Sequence, residues 1–173
     1  MTSEVIPTNR AMWTPARALL LGGLTVGVLD ALDALVFLGL RGVPPARLFQ
    51  GIASGLLGRS AFAGGTATAL LGVLLHFFIA FAVVATYHMA ARRLSGLTLQ
   101  PWVYGPLYGL LVYAVMNFIV IPLSAIGARG PRSTSALLNG LLIHALGVGL
   151  PAALSARAAR LGPGMSRASR ARG

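Results

Sequence analysis

The chain has 173 residues, 56% of them apolar and 10% charged, with a mean hydropathy of +0.79 and a formal net charge of +11. That composition excludes a soluble globular domain, and the absence of cysteine excludes disulfides, thiolate metal sites and cysteine nucleophiles. All 14 basic residues are arginines scattered between apolar stretches, so the positive balance reads as topology and contact with anionic lipid headgroups rather than nucleic-acid binding.

Residues 1–15 form a polar cytoplasmic lead with Pro7 and Pro15. Four apolar stretches follow, near 17–40, 67–91, 102–126 and 136–156. Each is long enough to cross a hydrocarbon core of roughly 30 Å at about 1.5 Å per residue. They predict one all-α transmembrane domain over 16–158, a polytopic four-helix bundle, with a disordered basic tail over 159–173. The first stretch is too long for a signal-peptide core and stays as a helix. Between the first two spans, Pro44-Pro45 can open a short helix over Ala46–Gly58. Its Gly51, Ser54, Gly55 and Gly58 share a face, giving an interfacial or re-entrant element, with the flat interfacial placement preferred.

Ser95–Pro101 is a short turn, followed by the interfacial aromatics Trp102, Tyr104 and Tyr108. Gly130-Pro131 breaks the second outer loop, and Pro122 and Pro151 read as tolerated kinks near helix ends. His88, beside Tyr87 and close to Arg92-Arg93, reads as an interfacial residue. Nine arginines fall on the side of the termini and five on the other. This places both termini in the cytoplasm of a bacterial inner-membrane protein.

Asp30 and Asp33 are two of three acidic residues in the chain, and they lie inside the first span. Each mid-helix Asp opposes insertion by roughly 2.5–3.5 kcal/mol, against about 0.3–0.6 kcal/mol gained per Leu, Val or Phe. The 13 such apolar residues between Ala16 and Leu40 are therefore almost cancelled by the pair. Carboxylates placed at that expense face a bundle interior.

Helical spacing puts the other intramembrane polar groups on small-residue stripes, where membrane helices approach closely. Gly23, Gly27, Asp30 and Ala34 form one stripe, with Asp33 close beside it. Gly72, His76 and Ala80 form a second. Gly105, Gly109, Tyr113 and Asn117 form a third, and Gly140, His144 and Gly147 a fourth, with Asn139 adjacent. Alternating helix direction brings Asp30, Asp33, His76, Tyr113, Asn117 and His144 to one layer, within roughly 10 Å of the midplane.

Two roles remain open for that layer. One is structural or partner-binding, with Asp, His and Asn hydrogen bonds fastening the helices. The other is a proton or cation pathway, since intramembrane Asp/His chains serve as relays. The sequence supports no metal or haem assignment, because Asp30, Asp33, His76 and His144 lack a tight local ligand spacing. With no nucleophile elbow or phosphate loop, no enzymatic activity and no cofactor are expected. The Gly51-xxx-Gly55 and Gly23-xxx-Gly27 faces are candidate surfaces for homo-oligomerisation.

Four segments carry a resemblance: DALDALVFLGLRGVPPARLFQGIASGLLGRSAFAGG, LLHFFIAFAVVATYHMAARR, YGPLYGLLVYAVMNFIVIPLS and LLIHALGVGLPAALSARAAR. Together they resemble small uncharacterised four-helix bacterial inner-membrane proteins. More distantly the chain is similar to YagU-type inner-membrane proteins, matched at His76 and at Pro122-Leu123. That likeness implies the same four-span topology and a loose link to acid tolerance. The chain departs from the YagU-type group in lacking an acidic residue just before His144.

Overall fold

The computed structural model describes residues 13–127 and 133–160. Residues 1–12 of the expected lead, the Gly130-Pro131 breaker and residues 161–173 of the expected tail lie outside the described residues, while Pro15 and the expected tail's Ala159-Arg160 belong to helices.

Helix α1 (Pro15–Gly39) starts where Thr14 accepts a hydrogen bond from the Arg17 N–H at 3.2 Å, with Pro15 in the first turn, where its missing N–H costs nothing. Helix α2 (Pro45–Leu57) is opened by Pro44-Pro45. Gly58 ends it at φ 59°, a left-handed conformation that glycine adopts without steric cost. A 3₁₀ turn, Gly58–Ala63, leads into α3 (Gly65–Arg93). A one-turn helix α4 (Gly96–Leu99) precedes α5 (Pro101–Leu123), and α6 (Thr134–Arg160) follows a Ser133 cap.

Four of these, α1, α3, α5 and α6, are long and apolar enough to span a membrane. No strand occurs among the described residues. The protein is thus an all-α four-helix bundle with the architecture of a multi-pass membrane protein.

Small residues set the packing. Gly23 and Gly27 of α1 lie against the rings of Phe81 and Phe77 of α3. A Cβ on Gly109 would collide with the His144 backbone carbonyl, and one on Gly149 with the Gly105 carbonyl, so α5 and α6 touch backbone to backbone. Near the ends of the bundle that carry Pro15 and Arg160, Val26, Val84, Val148, Ala80, Ala152, Ala153 and Ala156 form one closed core.

In that core Tyr87 and Tyr108 meet edge to face at 5.0 Å between centroids. The Tyr87 hydroxyl donates to Leu97 O at 2.9 Å and the Tyr108 hydroxyl to Val83 O at 2.8 Å. Here α3 and α5 are joined by long side chains rather than by backbone approach.

Helix α2, expected as an interfacial or re-entrant element, is docked on the bundle. Its Phe49 backbone fills the space a Cβ would need at Gly72, Gln50 Nε2 donates to Gly65 O at 3.0 Å, and Gly55 O accepts from Ala125 N–H at 2.9 Å. Leu48, Gln50, Ala53 and Ser54 are buried by this docking.

The expected kinks at Pro122 and Pro151 are preceded by π-helical stretches, Met116–Val120 and His144–Gly149. Ile121 N–H reaches Met116 O, and Leu150 N–H reaches Ala145 O, each five residues back. A proline lacks the N–H that would continue the α-helical ladder, and a widened turn ahead of it re-pairs the backbone.

Candidate functional site

Toward the ends of the bundle that carry Leu38 and Ala136, the helices border a half-open cavity of about 560 Å³. It is bordered by Asp30 and Asp33 from α1, His76 from α3, Tyr113 and Asn117 from α5, and Asn139 and His144 from α6. Ile52 of α2 closes one side, and Phe37, Ile79, Val112 and Ile143 supply apolar wall. The six residues that the sequence places in one layer therefore line one space, and Asn139, which sits beside the fourth stripe, joins them.

Gly105, Gly109 and Gly149 hold α5 against α6, and the π-stretch His144–Gly149 lies on that seam. Residues of both π-stretches, Met116 and Asn117 on α5 and His144 and Val148 on α6, border the cavity. One-residue helix expansions are frequent at functional sites because they re-aim side chains without breaking the helix.

His76 is the most constrained polar group. It is 9% exposed and held edge to face by Phe77 at 5.4 Å and by Phe49 at 6.4 Å. Its Nε2 lies 2.8 Å from Gly27 O on α1. A carbonyl only accepts, so Nε2 carries a hydrogen and Nδ1 is the position left for exchange.

Nδ1 faces Asp30 Oδ2 at 4.0 Å, too long for a direct hydrogen bond. With no proton on either group, a lone pair would face a carboxylate. One proton on Nδ1 or on Asp30, or a water between them, resolves that opposition. The Asp30 side chain is 30% exposed and faces the cavity, so this position is reachable from it.

The other groups divide by partner. Asn139 Nδ2 donates to Asp33 Oδ2 at 2.7 Å, bridging α6 and α1. Asn117 Nδ2 donates to Tyr113 O at 2.7 Å within α5. His144 Nδ1 donates to Gly140 O at 2.9 Å within α6, and the Tyr113 ring stacks on it edge to face at 5.2 Å. Thus His76 and Asp33 fasten helices, while Asn117 and His144 are anchored to their own helices and border the cavity. No group of three or more His, Asp or Glu among the described residues is placed to hold a metal ion.

His88 has a role that its interfacial reading missed. Its Nε2 lies 2.9 Å from Ser155 Oγ, across α3 and α6. Ser155 spends its own hydrogen on Ala152 O at 2.8 Å, so His88 donates. Gly22 of α1 makes the space, since a Cβ there would meet Ser155. The helical spacing of His88 from Val84 and Ala91 was the available signal.

Comparison with known protein families, curated proteins and solved structures returns no match. Function must therefore be argued from the site itself.

Proposed function

We propose that this is a small non-enzymatic membrane protein whose intramembrane cavity accepts and passes a proton or a small cation, with Asp30 and His76 as the exchanging pair. The observation that carries this reading is a cavity of about 560 Å³ that both Asp30 and Asp33 border. A layer serving only as a clasp gains most from close packing, because interhelical hydrogen bonds in membranes average only about 0.6 kcal/mol each. A space that is walled mostly by apolar side chains yet bordered by two carboxylates and two imidazoles instead suits a few waters and a mobile positive charge held at those groups. Asp and His chains along such spaces mark ion and proton routes.

A fastening role runs alongside and has its own support. His76 to Gly27 O and Asn139 to Asp33 each join two helices. In this reading the bonds hold the cavity walls, and Asp30, which makes no direct hydrogen bond among the described residues and faces His76 at 4.0 Å, is the exchanging carboxylate.

The test is proton flux into liposomes carrying the purified protein under an imposed potential, beside empty liposomes and the Asp30→Asn/Asp33→Asn variant. Flux above the empty control that the variant loses, with its helicity retained, supports the proposal. No flux in either, together with earlier melting of the variant, would reduce the carboxylates to a structural clasp.

A further inference from the structure

A second cavity, of about 330 Å³, lies at the opposite end of the bundle, where α1 begins and α3 and α6 end. It is lined by Arg92, Arg93 and Arg160, with His88, Ser95 and Thr98 supplying further polar groups. Guanidinium groups stay protonated in proteins, so three positive charges border one concavity. The two acidic residues among the described residues, Asp30 and Asp33, both border the other cavity, and no arginine ion pair occurs among the described residues. The charge here has no counter-ion within the described chain.

Arg160 is already oriented. Its Nη1 donates to Ser95 O at 3.0 Å and to Thr98 Oγ1, tying the end of α6 to α4. The remaining donors of the guanidinium sit on Nη2 and Nε, in the planar fork that matches a phosphate. Pro15 puts the start of α1 on the rim, and the positive end of that helix dipole adds to the same field.

The surroundings say which kind of anion belongs here. Leu94 and Leu99, chain neighbours of the lining residues Arg93, Ser95 and Thr98, are 59% and 68% exposed, apolar groups of the sort that meet acyl chains beside a headgroup. The space is about 330 Å³, against roughly 30 Å³ for one water, and so exceeds a bare ion. Basic pockets between helix ends on the cytoplasmic side are the usual seats of anionic headgroups, and the arginine count assigns this end to the cytoplasm.

We propose that this pocket is a specific phosphate site, occupied by the headgroup of an anionic phospholipid and gripped by Arg92, Arg93 and Arg160. It is independent of the cavity around Asp30.

The test titrates the full-length protein in neutral detergent with short-chain phosphatidylglycerol, phosphatidylcholine or inorganic phosphate, and follows the thermal midpoint. Phosphatidylglycerol should raise the midpoint saturably. Arg92→Gln/Arg93→Gln should weaken its half-saturation roughly thirtyfold, as expected for two lost headgroup contacts, while keeping the Arg160 tie. Arg92→Lys/Arg93→Lys should recover most of it, which separates binding from folding. Arg47→Gln/Arg59→Gln, an equal charge change outside the pocket, should leave half-saturation within about threefold. An equal loss in that control would overturn the site in favour of bulk surface charge. Saturation by inorganic phosphate at matching concentrations, with competition against the lipid, would overturn the lipid as the source.

Discussion

The two halves of this bundle are built from the same helices and do opposite things. In the half that carries Pro15 and Arg160, alanines, valines and two tyrosines close the interior, and the arginines stand at its outer end. In the other half a space remains that both described carboxylates border. Small side chains let membrane helices touch, and dispersion then supplies the cohesion that the hydrophobic effect cannot provide in lipid. Where they stop, polar groups and water can enter. Both described carboxylates border the space in one half, and three arginines converge on a concavity at the end of the other.

Substitutions that treat the halves differently sharpen this contrast. The largest effect is expected at the seam itself. Gly109→Ala puts a Cβ into the His144 carbonyl, which forces α5 and α6 apart. Overpacking of this kind costs about 1–3 kcal/mol, read as a lower thermal midpoint in detergent. Gly51→Ala, with nothing within 4 Å of the added Cβ, should leave the midpoint unchanged or slightly raised. Equal effects at both positions would deny the seam its role.

A smaller effect is expected from Ser155→Ala in the closed half. It removes the acceptor of the half-buried His88 N–H, at a cost of about 1 kcal/mol. Asn139→Ala in the open half should cost less, close to the membrane average of about 0.6 kcal/mol, because water in the cavity can replace the amide beside Asp33. A loss at Asn139 larger than that at Ser155 would mean that the cavity is dry.

Much of this arrangement is visible in the residue spacing. The stripes through Gly23-Gly27-Asp30, Gly72-His76-Ala80, Gly105-Gly109-Tyr113-Asn117 and Gly140-His144 name the inward face of each helix, and the same residues line the seams and the cavity. Periodicity reports a face and leaves its partner unnamed. Nothing local says that Gly72 receives the backbone of Phe49, which is what docks α2, or that Gly23 and Gly27 are covered by phenylalanines of the same chain.

The cavity is equally hidden. It is bordered by residues of α1, α2, α3, α5 and α6 together, a tertiary arrangement that no single stripe encodes. The π-stretches fall between these extremes. Pro122 and Pro151 mark where the ladder must change, but whether it kinks or widens is decided by the helix packed alongside.

The central claim is that Asp30 and His76 hold an exchangeable proton at the edge of the open half. Infrared difference spectroscopy of the reconstituted protein on acidification reads it most directly, with Asp30→Asn and Asp33→Asn measured separately. The account predicts a carboxyl band that appears on acidification in the unmodified protein and in Asp33→Asn, disappears in Asp30→Asn, and is accompanied by an imidazole change lost in His76→Gln. A band that persists in Asp30→Asn, or one that vanishes only in Asp33→Asn, would contradict it and move the exchanging group to the Asn139 side of the cavity.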